Sequence, residues 1–187
     1  NNARVAGNTS NAPETAGLGA WIATNDNFGV GGASPTGDGT DARTDGTQRA
    51  FTEAMLKDVM QKTWSAGGNP SVLMVGPFNK QAVSAFTGIA AQRYQAPSDS
   101  PTTIIGAADV YLSDFGSVTV VPNRFQRDRS AFVLDPEYAA VGYLRDFEIH
   151  DLAKTGDSDK REIIVEYGLE ISNEAAHGVI ADIDVTG

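Results

Sequence analysis

The sequence contains no cysteine, which excludes disulfide bonds, thiolate nucleophiles and cysteine-ligated zinc. No apolar run approaches the roughly 18 residues that a membrane-spanning helix needs, so we expect a soluble protein with no membrane partner. The first residues, NNARVAGN, lack the apolar segment of a signal peptide and do not begin with Met, which favours a processed or trimmed chain. Only two histidines are present, so histidine-based catalysis has few candidate groups.

Positive charge is also scarce. The chain carries 14 Lys and Arg residues against 24 Asp and Glu residues, which gives a formal net charge of −10. Proteins that grip duplex DNA need clustered Lys and Arg to neutralise phosphates. We therefore expect any contact with nucleic acid to be indirect.

The most regular stretch is Arg161–Ser172, whose side chains alternate between apolar and mainly acidic. This period of two predicts a β-strand. Its apolar face consists of Ile163, Val165, Tyr167, Leu169 and Ile171. The preceding KTGDSDK segment favours a turn, so the strand is expected to pair antiparallel with Val141–His150 and to bury its apolar face.

The middle of the chain predicts a helix, a buried strand and a second helix. The first helix is expected over Gln48–Ser65 with Thr47 as its N-cap, the strand over Val72–Val75, and the second helix over Phe78–Ala91. Further strands are expected at the positions that follow the polar loop Tyr94–Thr103. They are Val110–Leu112, Val118–Val121, Ala131–Leu134 and a last strand or turn within Ala175–Ile183. The fold class is α+β.

Two segments near the start are poor in apolar residues. Asn1–Asn11 is interpreted as the frayed end of a helix, and Thr24–Gly46 as a long exposed loop rich in Gly, Asp, Asn and Thr. Such a loop cannot bury enough apolar surface to offset the entropy of ordering it. We therefore expect Asn25–Gly46 to pack poorly within its own subunit and to become ordered through neighbours.

No motif predicts a catalytic, cofactor-binding or metal site. Glu174 and His177 have helical metal-pair spacing, but catalytic zinc normally needs three protein ligands, so a structural role is favoured. The aspartates of the 24–46 loop lack the spacing of a calcium loop and are interpreted as turn formers. The GVGG sequence at 29–32 lacks the Lys and Ser/Thr of a phosphate loop.

Three arginines, Arg124, Arg127 and Arg129, cluster in the NRFQRDRS segment. They form either a solvated turn or an anchor between subunits, because Arg binds carboxylates bidentately and acids are abundant on this chain. They are the candidate subunit-interface residues.

Several segments together resemble one family: AGLGAWIATN, the AGGNP and VGP segments around the buried strand, DFGSVTVVPNRF, LDPEY, LAKTGD and NEAAHG. The chain is similar over nearly its whole length to the major capsid proteins of tailed bacteriophages, in a branch formerly grouped as a phage domain of unknown function. The resemblance implies the Hong Kong ninety-seven shell fold. It also implies a structural protein without enzymatic activity or cofactor, assembled in the bacterial cytoplasm and found in the virion.

The resemblance implies a division of the chain. Residues 1–46 would hold the end of the spine helix and an exposed loop of the peripheral lobe, and 47–140 an axial α/β lobe. Residues 141–174 would form the long peripheral hairpin, and 175–187 a strand returning to the axial lobe. The family's N-terminal arm, extended loop and most of its spine helix would lie before Asn1.

The implied partners are other copies of the chain, in hexamers and pentamers of an icosahedral head. Portal, scaffolding or decoration proteins are further expected partners, and packaged double-stranded DNA would be near by proximity only. Two alternatives stay open at this point: the shell of a cellular nanocompartment similar to an encapsulin, and a hydrolase or metal enzyme that uses His177 and Glu174.

Overall fold

The computed structural model describes residues 2–86, 110–154 and 156–184. Within these ranges the protein has the expected α+β composition, with few helices. The helices are α1 (Leu18–Trp21), α2 (Glu53–Ser65) and α3 (Pro77–Ser84), with 3-10 turns at Pro136–Tyr138 and Glu174–Ala176. The strands are β1 (Asp26–Asn27), β2 (Val72–Val75), β3 (Val110–Ser113), β4 (Gly116–Pro122), β5 (Ser130–Leu134), β6 (Ala139–Asp151), β7 (Arg161–Ile171) and β8 (Gly178–Ala181).

Six strands form a mixed sheet in the order β1-β8-β5-β2-β4-β3. The β1–β8 and β2–β4 pairs are parallel, and the β8–β5, β5–β2 and β4–β3 pairs are antiparallel. The C-terminal strand β8 thus enters the sheet beside β5, so both ends of the described chain contribute to one layer. The remaining strands, β6 and β7, form a separate two-stranded hairpin.

The main core lies between this sheet and α2. Leu56, Val59 and Met60 of α2 are fully buried and belong to the same apolar cluster as Leu73 and Val75 of β2. The helix comes so close to β8 that a Cβ at Gly178 would lie 2.3 Å from Cγ1 of Val59. Only glycine fits at that crossing. The opposite face of the sheet carries a smaller cluster, formed by Ile22, Phe132, Val179 and Ala181.

Helix α2 starts five residues later than its predicted start at Gln48. Thr52 precedes it in extended conformation and is its N-cap position, so Thr47 as N-cap is wrong. The reason is tertiary: the Thr47 N–H donates to the Val30 carbonyl, and Arg49 pairs with the C-terminal segment at Ile183. The second predicted helix is found as α3, but it ends at Ser84, and Ala85 and Phe86 are no longer helical, so its predicted extension is wrong for these residues. The remainder of the predicted range to Ala91 and the 94–103 loop lie outside the described residues.

The long hairpin pairs as predicted, with β6 antiparallel to β7. Val141 pairs with Leu169, Tyr143 with Tyr167, and Ile149 with Ile163, so these apolar residues share one face. The prediction that this face is buried is wrong for the single chain. Ile163 is 66% exposed and Tyr167 63%, because no described residues form a second layer over this part of the hairpin.

The 24–46 loop is packed within its own subunit, which contradicts the prediction for it. Strand β1 pairs with β8, and the buried Arg43 guanidinium donates to Asp26 at 2.8 Å and to the Ile22 carbonyl at 2.6 Å. Ala33 and Thr44 also form an antiparallel bridge. Buried polar contacts supply the order that the apolar content of this loop cannot.

The expected helix end at residues 1–11 is also wrong for the described residues. Residues 2–17 contain no helix, and Val5 and Glu14 instead exchange two backbone hydrogen bonds as an antiparallel bridge. The segment between them is rich in Asn, Gly, Ser and Thr, which favour turns over helix interiors.

Candidate subunit-contact surface

The basic loop between β4 and β5, residues 123–130, is held against the sheet by side-chain amides. Oδ1 of Asn123 accepts the Phe125 N–H at 3.0 Å, and the Gln126 amide donates to the Met74 carbonyl at 3.1 Å and to the Ser130 carbonyl. These bonds close the loop locally and attach it to β2. The loop therefore presents its remaining side chains in a fixed arrangement.

Arg127 forms a bidentate ion pair with Asp45 of the same chain. Its Nη1 lies 2.7 Å from Oδ1, and its Nη2 contacts Oδ2. This hydrogen-bonded pairing raises the pKa of Arg127 and lowers the pKa of Asp45, because each charge favours the other. The pair joins the basic loop to the 24–46 loop.

Arg129 reaches the buried carboxylate of Asp182, which follows β8. Nη2 of Arg129 lies 2.9 Å from Oδ1 of Asp182 and also donates to the Gly46 carbonyl. The Asp182 carboxylate further accepts the N–H groups of Gly29 at 3.1 Å and Gly46 at 2.9 Å. Asp182 itself has a φ of +59°, a region where Asp is one of the more frequent non-glycine residues. One buried carboxylate thus joins three segments of the chain.

Two of the three predicted interface arginines are therefore paired inside the subunit, and the third is not. Arg124 is exposed and makes no ion pair with any residue in the described ranges. Its neighbour Phe125 is 91% exposed, the highest value of any large apolar side chain in those ranges. Among the described residues, the loop therefore exposes one guanidinium without an ion pair, that of Arg124, beside one phenyl ring.

The apolar face of the hairpin is the second exposed surface. Tyr143 and Tyr167 pair across the strands with ring centroids 6.1 Å apart, and both rings are more than half exposed. The opposite face is charged, with Arg145 paired to Glu166 at 3.0 Å through Nε. Exposed apolar patches that polar residues border are typical of interaction sites.

The Glu174–His177 pair has a structural position at the base of the hairpin. His177 is fully buried, and its Nδ1 accepts the Asp135 N–H at 3.3 Å. Burial lowers the pKa of His177 and outweighs the nearby carboxylates of Asp135 and Glu174, so the imidazole is neutral at pH 7. The other histidine, His150, lies on the hairpin and is half-exposed.

The Glu174 carboxylate connects the hairpin base to the segment after α1. It accepts the Ala23 N–H at 3.0 Å, the Thr24 N–H at 3.1 Å and the Thr24 hydroxyl. Burial alone would raise the pKa of Glu174, but these three hydrogen bonds together outweigh burial and lower it. With three hydrogen bonds to one neighbouring segment, this carboxylate serves as a structural acceptor.

Neither a metal cluster nor a membrane span is found in the parts of the chain that the structure describes. No group of three or more His, Asp or Glu side chains there could hold a metal ion. Asp38 and Asp41 instead accept hydrogen bonds from Thr36, the turn chemistry expected from the sequence. Across the same ranges, no helix combines the length and apolarity that crossing a bilayer requires.

The contact that the sequence did not reveal is Asp182 with Arg129. An aspartate within the apolar run VIADI was the available signal, because an acid there must be paired if it is buried. Its partners lie 53 to 153 residues away in the sequence, so their identity required the fold.

Exposed apolar side chains on the hairpin and at Phe125 are the kind of surface that marks an interaction site. A family model for the SU10 major capsid protein matches residues 1–184, nearly the whole chain. The chain belongs to the SU10 major capsid protein family. This match confirms the resemblance to phage major capsid proteins and supports the function of a phage capsid protein.

A likeness to a solved structure is also found. It is the holo-SrpI encapsulin complex from Synechococcus elongatus, with 15% sequence identity and a TM-score of 0.45. The likeness covers 74% of this chain and 51% of the encapsulin chain, so this chain corresponds to about half the length of that protein. No curated protein matches the chain.

Proposed function

We propose that the chain is the shell-forming part of a tailed-phage major capsid protein, with the Hong Kong ninety-seven fold, and that it assembles into hexamers and pentamers of an icosahedral head. The observation that carries this proposal is the family match over residues 1–184. The role is structural, without turnover chemistry, and the assembled protein resides in the virion after assembly in the host cytoplasm.

The architecture supports a division into lobes within this proposal. The six-stranded sheet with α2 and α3 would be the axial lobe, comprising residues 47–140 and the returning segment 175–187. The 141–174 hairpin would be the peripheral lobe, and residues 1–46 would lie along both. Since β8 pairs with β5 while β6 and β7 pair only with each other among the described strands, the hairpin is the part best placed to reach other subunits.

The exposed apolar hairpin face supports assembly on energetic grounds. Monomeric soluble proteins rarely keep a large contiguous apolar patch exposed, and such patches mark interaction sites. Each apolar side chain that the shell covers would contribute roughly 25 cal/mol per Å² of buried area. We infer that this face is buried in the assembled shell.

Arg124 is the candidate for a charge-assisted contact with a carboxylate of a neighbouring subunit. Because Arg127 and Arg129 are paired with Asp45 and Asp182, their role in that interface would be to hold the loop in position. Packaged DNA would be near the shell without a direct electrostatic contact, since the chain has a net charge of −10.

The test is expression of the full-length protein alone, followed by sedimentation velocity and negative-stain electron microscopy. We expect large particles or ring-shaped capsomers. A protein that sediments only as a monomer over a range of salt and protein concentrations would contradict the proposal. DNA-free shells that instead retain a host enzyme would favour a nanocompartment.

A further inference from the structure

A pocket opens beside the basic loop, on the face of the six-stranded sheet opposite α2. Its volume is about 220 Å³. Leu18, Met74, Phe132 and Val179 supply its apolar lining, while Arg43, Asn123, Gln126, Arg127 and Ser130 supply polar groups. The pocket is thus apolar in large part and carries hydrogen-bonding groups, the usual character of a site that binds a specific group.

The pocket has room for an aromatic ring. An engineered apolar cavity of about 150 Å³ binds benzene, so a pocket of this size can accept a phenyl group. Phe125 lies at the edge of the pocket, yet its side chain is 91% exposed and leaves the pocket open. The same chain therefore carries an unburied phenyl ring and an unfilled pocket that fits one.

Gln126 forms a fixed part of the pocket wall. Gln126 uses its amide nitrogen to bind the Met74 and Ser130 carbonyls. These bonds hold this wall of the pocket against β2 and β5, so the pocket keeps its shape when its neighbour Phe125 points to solvent.

We propose that Phe125 of one copy inserts into this pocket of a neighbouring copy. The inference rests on the proposed shell function, which brings many copies of the chain into contact. A second copy is the occupant because the chain supplies both halves of the contact, and the phenyl side chain matches the pocket in size and matches its apolar wall of Leu18, Met74, Phe132 and Val179. Burying a Phe side chain removes about 150–250 Å² from water, which makes it a strong anchor at an interface.

The first test compares two alanine variants of the full-length protein, Phe125→Ala and Val30→Ala. Both side chains are highly exposed, at 91% and 87%, so both variants should melt at the wild-type temperature. We expect Phe125→Ala to weaken subunit association about tenfold or more per contact and Val30→Ala to assemble normally. Equal assembly of the two variants would overturn the proposal.

The second test uses the absence of native cysteine in this sequence. Phe125→Cys and Leu18→Cys are made in separate, differently tagged proteins, which are co-assembled and treated with a short bismaleimide. We expect a covalent dimer that carries both tags in assembled particles, and none when Val30→Cys replaces Phe125→Cys. Particles without the mixed dimer would overturn this inference alone, whereas a wild-type protein that never assembles would overturn the proposed function as well.

Discussion

Nη2 of Arg129 lies 2.9 Å from Oδ1 of Asp182, and this ion pair joins the basic loop to the segment that follows the C-terminal strand. The Asp182 side chain is only 1% exposed, while that of Arg129 is one quarter exposed. Because the same carboxylate also accepts the Gly29 and Gly46 N–H groups, it fixes the 24–46 loop and the arginine loop together. The contact surface depends on this buried group.

Asp182→Asn should therefore loosen both loops. The change removes the carboxylate charge opposite Arg129 and turns an amide N–H toward groups that are themselves hydrogen-bond donors. We therefore expect the free energy of unfolding to fall by about 1–3 kcal/mol. Limited proteolysis should show faster cleavage within residues 24–46. Asp157→Asn, in the exposed turn of the hairpin, is the matched control and should change neither quantity. Unchanged stability and cleavage in Asp182→Asn would refute the role of this carboxylate.

The buried His177 predicts a specific pH dependence. Its folded-state pKa is lowered by burial, so below the unfolded-state pKa of about 6.5 the unfolded chain binds the proton more readily. Stability contributed by the neutral imidazole is complete above that pH and declines as the pH falls toward the folded-state pKa. Urea unfolding between pH 7.5 and about 5 should show the decline.

The two histidines provide their own comparison. His177→Asn keeps an acceptor near the Asp135 N–H, although it leaves space in the core, and should flatten the pH slope while lowering stability at pH 7.5. His150→Asn changes a half-exposed residue and should retain the wild-type slope. If both variants keep the slope, another group is responsible for it.

Arg124→Glu should separate folding from assembly. Arg124 has no ion pair within the described chain, and an exposed pair contributes only about 0.2–1 kcal/mol. The variant should melt near the wild-type temperature but assemble poorly, with a defect that deepens at low salt because like charges are less screened. The control is Arg4→Glu, which makes the same charge change on an exposed residue elsewhere. If Arg124→Glu forms normal particles, Arg124 has no role at an interface and belongs to a solvated turn.

The two faces of the hairpin predict opposite outcomes for adjacent substitutions. Ile163 lies on the apolar face, paired with Ile149, and Ile164 lies on the charged face, paired with Glu148. If the shell covers the apolar face, Ile163→Asp should block assembly, since a buried unpaired charge is costly, while Ile164→Asp should assemble. Ile163→Asp should still fold in isolation because Ile163 is 66% exposed, and since Ile164 is half-buried, thermal melting of both variants is measured before assembly is compared. Assembly of both variants, or of Ile163→Asp alone, would contradict burial of this face.

Local patterns in the sequence predicted most elements and the pairing of the hairpin strands, but not the contacts between residues distant in sequence. The alternation in Arg161–Ile171 identified β7 and its antiparallel mate because strand periodicity and turn residues act over short distances. The burial expected for Ile163 and Tyr167 was wrong. The alternation of a strand shows which of its faces is apolar, but it does not show whether another part of the chain covers that face. Similarly, the low apolar content of the 24–46 loop led to the wrong prediction that it packs poorly. Its order depends on Arg43 and on other polar contacts distant in sequence.

The candidate site shows the same division between local and long-range information. The sequence identified the arginine cluster, but it could not distinguish Arg124 from Arg127 and Arg129. That distinction depends on Asp45 and Asp182, which approach the loop only in the folded chain. The pocket beside Phe125 combines residues from α1, β2, β5 and β8, so no local motif could reveal it.

The most direct test of the central claim is a cryo-electron microscopy reconstruction of particles formed by the full-length protein expressed alone. We expect a closed shell built from hexamers and pentamers, in which the apolar face of the 141–174 hairpin is covered and Phe125 contacts a neighbouring copy. A folded protein that remains monomeric at high concentration, or particles in which the hairpin face stays open to solvent, would contradict it.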